Sequence, residues 1–156
     1  MDNIERLAKW LDPLIAGLSE AQLLRLSRTL GQRLRQNTSR RIAQQRNPDG
    51  TPFEARKKPG IKAKASQRRG RVKRAMFNKA RTLRFLKLRI TSKDIGMGFM
   101  GRTARIMRVH QEGLTDKLGP QGPNYDFPAR ELLGWSKEDE ALIKETVINY
   151  LKECFK

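Results

Sequence analysis

The start of the chain places apolar side chains at the spacing of an α-helix. The apolar positions are Ile4, Leu7, Leu11, Leu14, Ile15 and Leu18. Pro13 lies inside this pattern, and proline removes a helical hydrogen bond and clashes with the preceding turn. The pattern therefore predicts a short amphipathic helix that ends after Leu11.

A second, longer helix is predicted to follow. Ser19 and Gln22 match a capping box, and helical spacing then continues to about Arg46. The apolar positions are Leu23, Leu26, Leu30, Leu34 and Ile42. The outer face is expected to be basic through Arg25, Arg28, Arg33, Arg35, Arg40 and Arg41. The sequence from Asn47 to Gly50 then predicts a stop and a tight turn.

The middle of the chain changes to the period of a strand. The stretch from Val72 to Arg81 is compatible with a short helix. Within Leu83 to Thr91, apolar residues at 86, 88 and 90 alternate with basic residues at 87 and 89, and Ile95 to Phe99 alternates apolar residues with glycine. A turn at Ser92 to Asp94 separates these two segments, so the pattern predicts an antiparallel hairpin.

Two further helices are predicted in the last third of the chain. The first covers Arg102 to His110, with Ile106 and either Val109 or His110 facing inward, and Gly113 at its C-cap. The last begins after Ser136, and its apolar side is formed by Leu142, Ile143, Val147, Ile148 and Leu151. Its first turn carries Glu138, Asp139 and Glu140, which suit the positive end of the helix dipole.

The segment between these helices is expected to contain a loop and a strand. Leu118 to Pro128 is rich in glycine and proline and predicts a loop, whereas Phe127 to Leu133 predicts another strand. The fold class is therefore α+β, with long N-terminal helices and a C-terminal helix packed on a small antiparallel sheet. A basic extended arm or loop completes this prediction.

The positive charge of the chain is concentrated in one region. The 156 residues carry a formal net charge of +18, and the stretch from Arg56 to Arg89 holds 15 lysines or arginines and no acid. The part from Arg56 to Arg74 has too few apolar residues for a buried face, which predicts a mobile arm. Its candidate contacts with DNA or an acidic partner are Lys57, Lys58, Lys62, Lys64, Arg68, Arg69, Arg71, Lys73 and Arg74. A solvated tether without a dedicated partner is the alternative.

Composition and motif searches exclude several classes of site. Cys154 is the single cysteine and His110 the single histidine, which excludes an internal disulfide, a cysteine zinc cluster and a multi-histidine metal site. Gly96, Gly98 and Gly101 spell a dinucleotide fingerprint, but Met97 and Phe99 between them are predicted strand residues, whereas a dinucleotide site needs this motif to open a helix inside a parallel β-α-β unit. We predict no catalytic residues, no cofactor and no metal. The start of the chain lacks the pattern of a secretory signal, and no apolar run would span a bilayer, which favours a cytosolic origin.

Three segments together resemble the phage virion morphogenesis family, the tail completion proteins of contractile-tailed temperate phages. The first is RIAQQRNPDGTPF from Arg41 to Phe53, the second joins Arg105 and Ile106 to VHQEG at Val109 to Gly113, and the third is PARELLG from Pro128 to Gly134. Ser136 and Asp139 follow the third segment. The candidate family-motif residues are Asn47, Pro48, Asp49, Gly50, Phe53, His110, Gly113, Pro128, Arg130, Leu133 and Gly134.

The resemblance implies a structural virion protein that completes the tail and joins it to the filled head. It implies a single tail completion domain over residues 1–156, with helices in 1–46, a basic loop in 47–74, a sheet-containing region in 75–135 and a C-terminal helix in 136–156. It also implies a ring, often sixfold, of the neck or tail-terminator type around the DNA conduit. Its partners would be other tail and neck proteins, and no membrane is implied. Arg130 and Trp135 are the candidate interface residues, because interfaces favour arginine and aromatic anchors.

Charge alone favours another interpretation, a free nucleic-acid-binding protein of ribosomal or nucleoid type. This alternative explains the basic stretch from Arg56 to Arg89. It does not explain why the aromatic residues are scattered away from that stretch, since binders of single strands use them as stacking platforms. A nuclease is a more distant alternative, and the chain offers no clustered acids and histidines for it.

Overall fold

The computed structural model describes residues 2–56 and 75–154, and the side chains of residues 5–56 and 75–154. Within these ranges the helices are α1 (Asp2–Ile15), α2 (Glu20–Ala43), α3 (Gly101–Glu112) and α4 (Lys137–Cys154). The strands are β1 (Leu86–Ile90), β2 (Ile95–Phe99), β3 (Thr115–Lys117) and β4 (Asn124–Asp126). The fold is α+β, as predicted.

One core lies among α1, α2 and α4, and we call it the helical cluster. Its buried residues are Leu7, Leu18, Leu26, Leu34, Ile143 and Val147. Two cross-helix hydrogen bonds flank it: the Tyr150 hydroxyl donates to the carbonyl oxygen of Gln22 at 2.9 Å, and Arg33 donates to the Thr146 hydroxyl at 2.7 Å. Aliphatic packing thus joins the two ends of the chain.

The strands form two separate antiparallel pairs rather than one sheet. β1 pairs with β2 so that Leu88 faces Met97, and β3 pairs with β4 so that Asp116 faces Tyr125. The β1–β2 hairpin packs on α2, where a Cβ at Gly31 would lie 3.1 Å from the Cδ1 atom of Ile90. The missing side chain at Gly31 therefore allows this close approach.

Both predicted helix starts are confirmed. Ser19 caps α2 through a capping box with Gln22. Ser136 caps α4, because its hydroxyl accepts from the Asp139 N–H at 3.1 Å while the Asp139 carboxylate accepts from the Ser136 N–H at 3.0 Å. Each cap satisfies backbone donors that have no partner inside the helix.

Two predicted helix ends are wrong. α1 does not stop after Leu11 but continues past Pro13 to Ile15. Pro13 lies in the last turn of α1, so its missing N–H destabilises the helix only slightly. Ala16 still donates to the Asp12 carbonyl at 3.1 Å. α2 ends at Ala43, before the predicted Arg46, because Gln45 adopts a left-handed φ of 60°.

The region around the hairpins also departs from prediction. Residues 75–81 form bends and turns instead of a helix, while residues 72–74 lie outside the described ranges. β1 starts at Leu86, later than the predicted Leu83, and β4 lies inside the segment predicted as a loop from Leu118 to Pro128. Gly113 ends α3 with a φ of 65°, as predicted.

The predicted strand from Phe127 to Leu133 is absent. Phe127 donates to the Leu114 carbonyl, and Arg130 donates to the His110 carbonyl at the end of α3. Glu131 donates to the Asn47 side chain, and Leu132 and Leu133 donate to the Gln111 side chain. The segment therefore satisfies its hydrogen bonds without joining a sheet.

Two burial predictions are wrong as well. Ile106, expected to face inward, is 52% exposed, and Met107 and Val109 are the buried residues of α3. Arg41, expected on the outer face of α2, is only 4% exposed. No helix in the described ranges has the length and apolar character needed to cross a membrane.

Candidate functional site

The second core lies where the end of α2, the turn after it, α3 and the segment before α4 meet. We call it the junction, and its buried apolar residues are Ile42, Phe53, Met76, Ala80, Met107 and Leu132. These residues come from chain segments far apart in sequence, and most of those segments are neither helix nor strand. The junction therefore needs specific partners for many backbone groups.

Arg41 supplies three of these partners. Its guanidinium donates to the carbonyl oxygens of Arg46 at 3.1 Å, Glu131 at 3.1 Å and Leu132 at 2.9 Å. Burial lowers the pKa of Arg41, while the charge of Asp139 opposes this shift. Because a guanidinium in a protein stays protonated, Arg41 remains a charged donor that ties α2 to the segment before α4.

Two glutamine side chains bind backbone groups of segments that do not pair with a strand. The Gln45 amide donates to the Met76 carbonyl at 2.9 Å, and its oxygen accepts from the Met76 N–H at 2.7 Å. The Gln111 amide donates to the Leu133 carbonyl at 2.7 Å, and its oxygen accepts from the Leu132 and Leu133 N–H groups at 2.8 and 2.9 Å. Each side chain satisfies both a backbone donor and a backbone acceptor.

The turn from Asn47 to Thr51 contacts the same segment. The Asn47 side chain accepts from the Glu131 N–H at 2.9 Å and donates to the Thr51 hydroxyl at 3.0 Å. The hydrogen bond from the Thr51 side chain lowers the pKa of Asp49. Gly50 has a φ of 89°, which favours glycine. Pro48 packs so closely on Gly134 that a Cβ there would lie 2.7 Å from the Pro48 ring.

Arg130 and His110 form the other side of the junction. Arg130 donates to the carbonyl oxygens of Glu54 at 2.8 Å and Ala55 at 3.3 Å, and a third nitrogen lies 3.2 Å from the Nδ1 atom of His110. Since arginine has only donors, Nδ1 accepts and the imidazole proton lies on Nε2. The His110 ring also packs edge-on against Phe77 and Phe127, with centroid distances of 4.9 and 5.1 Å.

The environment of His110 keeps the imidazole neutral. Burial lowers the pKa of His110 to about 4, and the positive charges of Arg130 and Arg56 act in the same direction. At neutral pH the ring is therefore an uncharged acceptor for Arg130. Arg130 thus links the backbone of Glu54 and Ala55 to the end of α3.

The structure brings most of the candidate family-motif residues together. Pro48 packs on Gly134, Arg130 binds His110, and Phe53 belongs to the junction core. Asn47 accepts from the Glu131 N–H, and Gly113 lies close to Ala129. Asp49 and Gly50 form the exposed part of the turn, and Pro128 and Leu133 are half-buried in the segment before α4. Sequence reasoning did not select Arg41, Gln45 or Gln111 as site residues, although all three lie in segments that carry the resemblance.

The two candidate interface residues are placed differently. Arg130 is 4% exposed, and its guanidinium bonds inside the subunit. Trp135 is 56% exposed beside a cavity of about 180 Å³ that is also lined by Leu88, Met97 and Leu133. Trp135 is therefore the one of the two that offers surface to another molecule. The nine basic residues predicted as DNA or acidic-partner contacts, from Lys57 to Arg74, lie outside the described residues.

The chain is similar to known phage proteins along almost its whole length. The model of the phage virion morphogenesis family matches residues 2–152. Tail completion protein S of Escherichia phage P2 is 39% identical over 153 residues, which cover 97% of this chain and 99% of that protein. No solved structure matches the chain. The resemblance seen in the sequence is confirmed, and the chain belongs to the phage virion morphogenesis family.

Proposed function

We propose that this chain is a structural virion protein that completes a phage tail and joins it to the filled head. The observation that carries the proposal is the end-to-end similarity to tail completion protein S. The junction supports it, because the candidate family-motif residues bind one another and backbone groups, as expected for a scaffold. We assign the chain no catalytic step, no cofactor and no metal.

We further infer that copies of the chain form a ring, with sixfold order, around the DNA conduit at the neck or tail terminus. Trp135 and the apolar cavity beside it offer a surface that a neighbouring subunit or tail protein would bury. The partners are other tail and neck proteins. The protein would be made in the host cytoplasm and end in the virion tail or neck. Residues 1–156 act as one tail completion domain in this proposal, with the parts predicted from the sequence.

Deletion of the gene in its own phage tests the proposed role. We expect tails that lack this protein to accumulate without joining filled heads, and purified protein added to the lysate to restore joining, as counted by electron microscopy and plaque titre. Normal particles after the deletion would overturn the proposal.

Substitution of Trp135 tests the proposed interface. We expect Trp135→Ala to fold but to lose most of the restored joining, whereas Trp10→Ala, on α1 and 38% exposed, should act as wild type. Equal activity of the two variants would exclude Trp135 as an anchor.

The mass of the purified protein tests the ring. Light scattering across protein and salt concentration, with and without DNA, should give a discrete species of several 18.0 kDa subunits, or a monomer that assembles only on tails. A protein that stays monomeric at every concentration and does not assemble on tails would overturn the ring, and steeply salt-dependent DNA binding by such a monomer would favour the nucleic-acid-binding alternative.

A further inference from the structure

The outward face of α2 carries an excess of unpaired positive charge. The 24 residues of α2 include six arginines and a single acid, Glu20. Arg41 is buried in the junction, and Arg33 bonds to Thr146 and Glu145. The other four arginines form no salt bridge within the described part of the chain, and they are Arg25, Arg28, Arg35 and Arg40.

These four arginines lie along one side of the helix. α4 covers one flank of α2 and the β1–β2 hairpin covers another, so Arg25, Arg28 and Arg40 remain exposed and Arg35 half-buried on the side between them. At 1.5 Å of rise per residue, the distance from Arg25 to Arg40 along the axis is about 22 Å. We call this surface the α2 arginine face.

The uncharged neighbours on the α2 arginine face are small or amide side chains. Thr29, Gln32 and Gln36 are exposed between the arginines, and no large apolar residue is exposed on this side of α2. A groove of about 670 Å³ runs beside it, lined by Arg25, Arg28 and Gln32 from α2 and by Asn149 and Glu153 from α4.

We propose that the α2 arginine face binds the phosphate backbone of duplex DNA without reading its sequence. Phosphate contacts are made by arginine together with glutamine and threonine side chains, and they carry no base information. Protein interfaces instead bury an apolar centre that is depleted of charge. The α2 arginine face has no such apolar centre. A row of about 22 Å matches the rise of about six phosphates along one strand.

The proposed ring adds an orientation to this binding. If the subunits surround the DNA conduit, the α2 arginine face would point to the lumen. Only this orientation rests on the proposed function. DNA binding by the isolated protein does not need the ring, so the two ideas fail separately. Gene deletion tests the tail completion role, whereas DNA binding by the purified protein tests the α2 arginine face.

Fluorescence anisotropy with a labelled 24-base-pair duplex tests the proposal on the full chain. The test variant replaces the four arginines by glutamine, as Arg25→Gln, Arg28→Gln, Arg35→Gln and Arg40→Gln. The control removes the same charge from four exposed basic residues on other elements that form no salt bridge in the described ranges, as Lys9→Gln, Lys87→Gln, Arg102→Gln and Lys137→Gln. Thermal unfolding establishes that both variants keep the wild-type fold.

The salt dependence of binding gives the decisive number. Each phosphate contact contributes about 0.9 to the slope of log K against log salt concentration. We expect the test variant to lose about three to four from this slope and at least about tenfold in affinity at low salt, with two duplexes of unrelated sequence. The control should stay close to wild type.

Two results would overturn the proposal. Equal losses in the test and control variants would mean that binding follows total charge and not the α2 arginine face. A test variant that keeps its affinity for duplex but loses affinity for labelled poly-glutamate would assign the face to an acidic protein instead.

Discussion

The helical cluster and the junction each bury six apolar residues, yet different interactions stabilise them. In the helical cluster, helices satisfy their own backbone and aliphatic side chains fill the space between them. In the junction, Arg41, Gln45, Gln111 and Arg130 satisfy backbone groups that no helix or strand serves. The first core depends on volume, which several residues can supply, whereas the second depends on individual donors and acceptors.

The largest loss of stability is expected for substitutions of Arg41 in the junction. Replacing it by methionine removes the donor from three carbonyl oxygens, of which that of Leu132 is buried and the other two are half-buried, so we expect Arg41→Met to lower the free energy of unfolding by about 3 to 5 kcal/mol. Arg41→Lys keeps the charge but has no planar fork, and it should still cost about 2 kcal/mol. Urea unfolding measures both. A lysine variant as stable as wild type would show that charge alone matters at this position.

The helical cluster should respond to volume. Ile143 is 4% exposed, so we expect Ile143→Ala to cost about 2 to 4 kcal/mol through the cavity it leaves, but Ile143→Val only about 1 kcal/mol. The conservative change is thus tolerated here and not at Arg41. Urea unfolding measures both variants. If the valine variant lost as much free energy of unfolding as the alanine variant, side-chain volume would not explain the stability of the helical cluster.

A glycine that contacts a neighbouring segment of the junction should give a loss of stability of intermediate size. A Cβ at Gly134 would meet the Pro48 ring at 2.7 Å, so we expect Gly134→Ala to cost about 1 to 3 kcal/mol. Gly98 on β2 has no atom within 4 Å of the same position, and Gly98→Ala should stay within about 0.5 kcal/mol of wild type. Thermal unfolding distinguishes the pair, and equal midpoints would exclude tight packing at Gly134.

The smallest expected effect is a dependence on pH. In the unfolded chain His110 takes up a proton below about pH 6.5, whereas in the folded chain its pKa is about 4. Stability should therefore fall as the pH falls from 6.5 to 4, by about 1 kcal/mol given partial screening by solvent. His110→Gln should remove this component in urea unfolding at a series of pH values. An unchanged pH profile in the variant would exclude His110 as its source.

The difference between the cores also explains what the sequence could reveal. Leu26, Leu34 and Val147 follow helical spacing, and Ser19 and Ser136 carry local capping signals, so the helices could be predicted from neighbouring residues alone. The alternation of Leu86, Leu88 and Ile90 likewise predicted the hairpin. These elements depend on contacts close in sequence or on a simple period.

The junction could not be predicted in this way. Polarity placed Arg41 on the surface, yet its partners at Glu131 and Leu132 are about 90 residues away. The segment from Phe127 to Leu133 is predicted as a strand from the sequence, but side chains from α3 and the Asn47 turn bind its N–H groups. The resemblance selected Asn47, His110 and Arg130 as a set without showing that they lie together.

The contacts at Phe53 and Met76 have a consequence for how this protein can vary. Phe53 and Phe77 pack ring to ring at 5.8 Å, and Gln45 bonds to both backbone groups of Met76. The described residues before position 57 and after position 74 therefore meet at the junction. The entropy of bringing two chain points together changes by only about 0.6 kcal/mol per doubling of the number of residues between them. Because Phe53 and Met76 are fixed at the junction, we expect insertions or deletions between residues 56 and 75 to lower the free energy of unfolding by less than the loss of Arg41 does.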